Sequence, residues 1–468
     1  MFQLKITTFA TQMTTDKPMN TSGNFLTRTI LSMMLVCFSV VATAQQELFT
    51  SDLAMGQIEK VAHYFMSHYP DVGADSYVGG KQRSSRIWTR SVFYEGLMNA
   101  YREKADAEWL KYAVDWGEYH QWYSCYDSQK RHADFQCCGQ TYLQLYQLDT
   151  SKKERMSHIK LRIDDMVNSK KMDDWYWIDA IQMAMPIFAL LGTITGNGSY
   201  YWDRMYAMYE FTRNKHGGNM KGGGLPLFNT ETGLWYRDYQ YDPPYRDLTE
   251  PDKDCYWSRG NGWVYMALAR VMQFTPADET HRADYETDFR MMSEALRKCQ
   301  RADGSWNVSL AAPANYGAPG SEGPEMTGTS LFVGGMAYGV RCGLLDSTTY
   351  LPVIRQGWKA MYHAVHPDNG FVGYLQGTGA KPEDGGVITY NSIPNFEDFG
   401  YGCWLWGAAE VHALFKQLEE QSPTGISTLC NTSGSVCRHK PRKVWNNGRL
   451  VIKRNEQTYN LLGTLSRD

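Results

Sequence analysis

The sequence predicts an all-α protein built as an (α/α)6 toroid, which is a closed ring of six helical hairpins. Apolar residues recur at intervals of three and four along most of the chain, and few segments alternate as strands do. Apolar helices rich in Trp and Gly alternate with more charged ones. This alternation is typical of an inner ring of buried helices inside an outer ring with a solvated face. An open helical solenoid is the main alternative, but no tight repeat is visible.

Twelve helices are predicted, each from its own run of apolar residues at helical spacing. Four of them are apolar and rich in Trp and Gly, whereas 151–168 and 279–301 carry more charge. In chain order the predicted helices cover 53–69, 90–103, 106–121, 136–148, 151–168, 177–192, 198–214, 257–273, 279–301, 327–343, 347–366 and 400–419.

Long loops accompany the apolar helices and are rich in Gly, Pro, Asn and aromatic residues. Loops of this length in a compact domain are usually functional, and we expect them to gather at one mouth of the toroid. They cover 70–89, 122–135, 215–256, 302–326 and 367–399. The helical domain is expected to span 45–422, followed by a basic tail at 423–468 with short strands.

The first 44 residues indicate export. An apolar run from Ile30 to Ala42 follows Arg28, and Ala42-Thr43-Ala44 is a small-x-small cleavage site. The run is too short to cross a bilayer as an anchor. We therefore expect a signal peptide over 1–44 and a periplasmic or secreted protein without a membrane segment.

The charge balance narrows the class of partner. Lys and Arg total 47 and Asp and Glu total 50, so the basic excess of a nucleic-acid-binding protein is missing. The basic charge is concentrated in the two terminal segments, which leaves the body acidic and repulsive to a long polyanion. An acidic substrate would then be a short oligosaccharide held by a local arginine. The ten cysteines show no C-x-x-C spacing and the histidines are scattered, so neither metal nor cofactor is expected.

A carboxylate begins one of the apolar helices. The stretch DDWYWIDAIQMAMP runs from Asp173 to Pro186, and its first two aspartates can cap the helix. Asp179 lies just inside, on a face that also carries Gln182 and apolar residues. Burial of an ionised carboxylate there is costly, so its pKa would rise, which suits a general acid. A capping or salt-bridged aspartate is the alternative interpretation.

An arginine flanked by two tryptophans begins another apolar helix. The string WSRGNGW runs from Trp257 to Trp263, and its glycines allow a ligand to approach the backbone closely. Arg259 offers a planar fork for a carboxylate, and the two Trp rings offer stacking faces. A structural loop pinned by aromatic residues is the alternative.

Two further segments carry candidate polar groups. Asp134 begins a helix after His132, and helix capping is an equally good explanation for it. Arg237 lies in the longest loop beside Asp238, and simple pairing of these two side chains is the alternative interpretation.

Together, the segments around Asp134, Asp179 and Trp257–Trp263 resemble glycoside hydrolase family 105, the unsaturated rhamnogalacturonyl hydrolases. The related unsaturated glucuronyl hydrolases of family 88 look similar. The resemblance covers roughly 50–420 and implies an (α/α)6 barrel without a metal. It also implies removal of an unsaturated uronic acid from the non-reducing end of an oligosaccharide that a polysaccharide lyase has made. The segment 447–452 resembles remnants of C-terminal sorting domains on secreted Bacteroidetes enzymes.

The resemblance assigns roles to individual residues. Asp179 matches the aspartate that protonates C4 of the C4=C5 double bond and then activates water for addition at C5. Asp134 matches the second aspartate, which holds sugar hydroxyls and tunes the first. Trp257, Arg259 and Trp263 match the substrate-binding string. Two residues beside the aspartates, Trp177 and His132, are also expected to contact the sugar.

Arg237 departs from the rhamnogalacturonyl pattern, in which a histidine often occupies this position. We therefore expect Arg237 to influence which sugar follows the uronic acid, and a glucuronyl-capped substrate becomes an alternative to a rhamnogalacturonan fragment. Two other functions remain open. One is an inverting glycosidase that uses Asp179 and Asp134 as acid and base, with the carboxyls roughly 6.5–9.5 Å apart. The other is a non-catalytic glycan-binding protein.

Overall fold

A computed structural model describes residues 48–78, 81–215, 225–246, 252–311, 324–386, 388–393 and 398–421, together with the backbone of 442–446, 449–454 and 457–459. The predicted signal peptide over 1–44 lies outside the described residues. Among those described, no helix is long and apolar enough to cross a membrane.

All twelve predicted helices are present, and one short additional helix precedes the fifth. Their bounds are α1 Ser51–His68, α2 Trp88–Glu103, α3 Ala107–Tyr119, α4 Ala133–Gln136, α5 Cys138–Leu148, α6 Glu154–Val167, α7 Asp179–Thr195, α8 Gly198–Lys215, α9 Ser258–Phe274, α10 Arg282–Lys298, α11 Met326–Arg341, α12 Ser347–Ala364 and α13 Asp398–Gln421.

Six apolar helices form a closed inner ring. Contacts run from α2 to α5, α7, α9, α11 and α13, and α13 packs back against α2. Closure of the ring confirms the predicted toroid and excludes the open solenoid. The inner helices are buried over nearly their whole circumference; in α7, for example, every residue from Asp179 to Gly192 is buried.

The outer ring is made by α1, α3, α6, α8, α10 and α12, and each of these packs against inner helices. Their exposed faces carry the charge that the sequence predicted. In α10, Asp288, Phe289 and Met292 face inward, whereas Glu294 and Arg297 pair with each other on the outside.

The inner helices begin at one end of the ring, because residues in their first turns contact one another. Arg90 at the start of α2 forms a buried ion pair of 2.6 Å with Asp398 at the start of α13. Arg259 of α9 lies 3.5 Å from the hydroxyl of Thr327 in α11. This end is called the mouth below, and the positive ends of six helix dipoles meet there.

Three small antiparallel sheets complete the described structure. β1 (Ser76–Val78) pairs with β2 (Lys81–Arg83), and β3 (Phe228–Asn229) pairs with β4 (Leu234–Trp235) in the loops at the mouth. In the tail, β5 (Arg442–Asn446), β6 (Arg449–Arg454) and β7 (Gln457–Tyr459) form a meander. The tail therefore contains short strands, as predicted.

Candidate active site

Asp179 is held at the mouth by an arginine from another loop. It is the first residue of α7 and is 8% exposed. Its Oδ2 accepts a hydrogen bond of 3.1 Å from Nε of Arg237, which follows β4 by two residues. The backbone N–H of Ile178 donates to the carbonyl of Arg237 at 3.0 Å, so backbone and side chain both fix the pair. Asp179 is therefore salt-bridged, which was the alternative interpretation of this residue from the sequence.

Arg237 lies between two carboxylates. Besides Asp179, it donates from Nη1 to Asp238, whose other oxygen accepts from the N–H of Gln240. Burial opposes the charge on the guanidinium, yet the charges of Asp179 and Asp238 raise the pKa of Arg237 above its usual value. One fifth of its side chain remains exposed, so the guanidinium can also meet a ligand in the mouth.

Asp134 has fewer polar neighbours than Asp179. It is the second residue of α4, and its N–H donates at 3.3 Å to Nδ1 of the capping residue His132. Burial, followed by the charge of Asp179, raises the pKa of Asp134 to about 7, against the opposing charges of Arg237 and Arg83. Two aspartates with unequal environments thus lie close together, an arrangement that separates acid and base roles.

A cleft of about 330 Å³ is lined by residues that precede the two aspartates in the chain, His132 and Trp177 among them. His132 and Trp177 lie in its wall with their ring centroids 5.1 Å apart, and Tyr176 packs against Trp177 at 4.4 Å. Burial lowers the pKa of His132, so its imidazole is neutral at pH 7. The expectation that His132 and Trp177 are placed to contact a sugar remains a prediction, and the cleft gives it a location.

Arg259 does not match its predicted role. It is completely buried, and its two terminal nitrogens donate to the carbonyls of Gln376 at 2.9 Å and Gly377 at 2.6 Å. Its guanidinium lies over the rings of Trp257 and Phe399. Arg259 therefore anchors the loop between α12 and α13 to the start of α9. Its guanidinium is not open to a substrate carboxylate.

The two tryptophans of the same string are also buried. Trp257 is 1% exposed and donates from Nε1 to Oε1 of Gln376 at 2.9 Å. Trp263 is fully buried and packs edge-on against Trp88, with centroids 6.3 Å apart. Neither ring has an open face for a sugar, which corrects the predicted stacking role. The string WSRGNGW is structural, because α9 enters the core at its first residue.

Two residues at the mouth were missed by the sequence reasoning. Trp88, the first residue of α2, is only partly buried and packs against Phe399 at 5.2 Å. Arg83 ends β2 and is close enough to Asp134 to influence its pKa. The signal was the stretch RSSRIWTR at 83–90, where three arginines and a tryptophan end a long loop.

A buried carboxylate ties together the helices that carry the two aspartates. Glu95 of α2 accepts from Nε2 of Gln182 at 2.6 Å and from the thiol of Cys137 at 3.0 Å. Gln182 lies one turn after Asp179, and Cys137 one turn after Asp134. Burial raises the pKa of Glu95, and its two hydrogen bonds help to fix the spacing of the segments that carry the two acids.

Comparisons with known proteins agree with this geometry. The family model for glycosyl hydrolase family 88 matches residues 57–415. An unsaturated 3S-rhamnoglycuronyl hydrolase from Formosa agariphila is 30% identical over 345 residues, which cover 70% of this chain and 84% of that protein. A family 88 glycosyl hydrolase from Bacteroides vulgatus has a solved structure with 27% identity and a TM-score of 0.67, covering 78% of this chain and 99% of that one.

A second solved structure is equally similar and is described as a polysaccharide lyase. It is 28% identical to this chain and has a TM-score of 0.67, covering 79% of this chain and 98% of that one. The fold is therefore shared by proteins described as hydrolases and as a lyase.

Proposed function

The chain belongs to glycosyl hydrolase family 88 and is a glycosidase that hydrolyses an unsaturated uronic acid from oligosaccharides; from this premise we propose that it does so by hydrating the C4=C5 double bond at the mouth of the ring. The observation that carries the proposal is the pair Asp179, which begins the inner helix α7, and Asp134, which lies in the short helix α4 just before the inner helix α5, beside one partly exposed arginine.

The proposed reaction needs a proton donor and a base but no covalent nucleophile. Asp179 protonates C4, and water adds at C5 as the same carboxylate removes its proton. The resulting hemiketal opens, and the aglycone sugar leaves with its hydroxyl. Asp134, whose pKa is raised to about 7 by burial and by the charge of Asp179, limits the negative charge beside Asp179.

Arg237, rather than Arg259, is assigned to the substrate carboxylate. Its guanidinium is partly exposed and already adjoins Asp179. A uronate that enters the mouth competes with Asp179 for this fork, since bidentate pairing with a carboxylate is the geometry that arginine favours. Once its hydrogen bond from Arg237 is weakened, Asp179 can take up the proton that it delivers to C4.

The aglycone is proposed to be rhamnose. The curated relative acts on a rhamnoglycuronyl unit by its description, and the position where rhamnogalacturonyl enzymes often carry histidine is Arg237 here. We therefore assign the substrate to unsaturated glucuronyl-rhamnose fragments rather than to rhamnogalacturonan. The apolar run over 30–42 and the Ala42-Thr43-Ala44 site support export to the periplasm or medium.

A lyase is the second candidate, because a solved structure with 28% identity carries that description. The two reactions change the uronyl double bond in opposite directions. A lyase creates the C4=C5 bond and its ultraviolet absorbance, whereas the proposed hydrolase destroys both.

The test follows this absorbance with two substrates. With lyase-generated unsaturated disaccharides we expect absorbance to fall, and with the intact saturated polymer we expect no rise. Asp179→Asn should reduce the fall by about 10²–10⁴-fold, the usual contribution of a general acid–base group. Unchanged melting temperature would show that its fold is intact. A rise with the intact polymer would establish the lyase, and no change with either substrate would favour a glycan-binding protein.

A further inference from the structure

A surface beside the cleft has the character of a second sugar-binding region. Among the described residues, several large hydrophobic side chains are exposed, and four of them are tyrosines near the mouth: Tyr119, Tyr123, Tyr126 and Tyr176. Their exposed fractions range from 43% to 69%. Exposed aromatic rings grouped on a surface usually mark an interaction site.

Arg86 adjoins this surface at Tyr126. Its guanidinium is 5.4 Å from the ring centroid of Tyr126, a distance at which a cation is attracted to an aromatic face. Within the described part of the chain, no carboxylate forms an ion pair with Arg86. The arginine is partly exposed, so a charged group from solution can reach it.

A chain of contacts runs from Tyr123 to the cleft. Tyr123 packs on His158 at 4.3 Å, and Arg162 donates to His158 at 3.3 Å. Arg162 also forms an ion pair of 2.6 Å with Asp127, which follows Tyr126 and lines the cleft. The surface is therefore continuous with the wall that contains His132 and Trp177.

The positive charge of this surface comes from arginine. Burial, followed by the charges of nearby arginines, lowers the pKa of both His120 and His158 to about 4, so neither ring is charged at neutral pH. Arg86 has no carboxylate partner among the described residues, and Tyr126 provides an apolar face above it. An aromatic face next to an unpaired guanidinium matches a pyranose ring that carries an anionic group.

We propose that Arg86, Tyr126 and Tyr123 form a distal subsite for an anionic sugar, one repeat beyond the aglycone of the proposed reaction. The occupant is the same oligosaccharide chain, held through a uronate carboxylate or a sulfate ester. This inference rests on the proposed function, because the chain must enter with its unsaturated end in the mouth. It predicts that longer substrates are used better than disaccharides.

The experiment compares kcat/KM for an unsaturated tetrasaccharide with that for the disaccharide of the same polymer. We expect Arg86→Met and Tyr126→Ala each to lower this ratio by about three- to tenfold, as expected for a partly exposed charge-assisted contact. Turnover of the disaccharide should stay unchanged, because neither residue touches the two aspartates.

Arg355→Met is the matched control. The guanidinium of Arg355 also lies 5.4 Å from the centroid of an aromatic ring, that of Phe49. Arg355 is in the outer helix α12, however, and Phe49 lies just before α1, at the end of the ring away from the mouth. The ratio of kcat/KM for the tetrasaccharide to that for the disaccharide should be the same in Arg355→Met as in the unmodified protein. If Arg86→Met and Tyr126→Ala both leave the ratio unchanged, the subsite is disproved. If the unmodified protein does not turn over the disaccharide at all, the proposed function itself is disproved.

Removal of sulfate esters from the tetrasaccharide identifies the anionic group. A ratio that falls on desulfation and is then insensitive to Arg86→Met assigns the contact to sulfate. A ratio that is kept, and still depends on Arg86, assigns it to the uronate carboxylate. Either result supports an anionic subsite, and an arginine-independent ratio with both substrates would overturn it.

Discussion

The two aspartates at the mouth differ in what surrounds them. Asp179 accepts a hydrogen bond from a permanent cation, whereas Asp134 has burial and a neighbouring negative charge, which raise its pKa to about 7. The sequence predicted both aspartates but not this difference, because the decisive partner, Arg237, is 58 residues from Asp179. Long-range pairing of this kind is not encoded in local spacing.

Asp134 should make stability depend on pH. Its pKa is about 7 in the folded protein and 3.8 ordinarily, so the folded state keeps its proton longer than the unfolded state. The resulting stabilisation is present below pH 3.8 and is lost as the pH rises to about 7. The free energy of unfolding that is lost in this way is on the order of 2 kcal/mol, after allowance for the exposed quarter of the side chain. Asp134→Asn removes the loss, because asparagine does not ionise.

The measurement is thermal unfolding of both proteins between pH 4.5 and 8, roughly the range in which the group titrates. The melting temperature of Asp134→Asn relative to the unmodified protein should rise with pH. Asp173→Asn is the control: a hydrogen bond from Lys171 lowers the pKa of Asp173, so this group is almost fully ionised in both states across the range, and its melting-temperature difference should not change with pH. A difference that does not change with pH would contradict a raised pKa at Asp134.

Substitution of the two arginines at the mouth should affect different properties, activity for Arg237 and stability for Arg259. Arg237→Met is expected to lower kcat/KM at least about tenfold by removing a charge-assisted contact to the substrate. Arg259→Met should instead lower the free energy of unfolding by about 2–4 kcal/mol, because the carbonyls of Gln376 and Gly377 lose their buried donors. Steady-state kinetics and denaturant unfolding of both variants separate the two effects. The reverse pattern would restore Arg259 as the substrate-binding arginine.

At the scale of elements, the ring closes through two glycines. A methyl group at Gly96 of α2 would overlap the backbone of Gly402 in α13, and one at Gly402 would overlap the carbonyl of Val92. The two helices therefore touch backbone to backbone, which no larger residue allows. Gly56 on the outer helix α1 has open space around the same position.

Gly96→Ala should therefore destabilise the protein by about 2–4 kcal/mol, since overpacking against rigid backbone is poorly relieved. Gly56→Ala should be neutral or stabilising by up to about 1 kcal/mol, because alanine favours a helix. Denaturant unfolding of the two variants measures this contrast. Equal stability would mean that α2 and α13 can separate without cost.

Helix positions were predictable from sequence, and the exposure of individual side chains was not. Spacing of apolar residues located all twelve long helices to within a few residues. The same apolar character could not show that Trp257 and Trp263 are buried while Trp88 is partly open, since all three lie at or near the start of an inner helix. Exposure depends on the neighbouring helices and loops, which come from distant parts of the chain.

At the scale of the whole molecule, the closed ring brings six helix starts to one mouth and so collects residues that are far apart in sequence. Three separate parts of the chain supply Asp134, Asp179 and Arg237. Beneath them, Glu95 of α2 is hydrogen-bonded to Gln182 of α7. The predicted toroid made this convergence foreseeable. The partners of each side chain required the structure, because the loop lengths set them.

The central claim is that the mouth hydrates a C4=C5 double bond. It is tested most directly by running the reaction on an unsaturated disaccharide in deuterium oxide and following the released uronic acid by NMR. Protonation at C4 predicts one deuteron on that carbon, introduced on a single face, and loss of the vinyl signal. Asp179→Asn should suppress both changes together. Release of a uronic acid that keeps its vinyl proton and carries no deuterium would show direct cleavage of the glycosidic bond and would contradict the account.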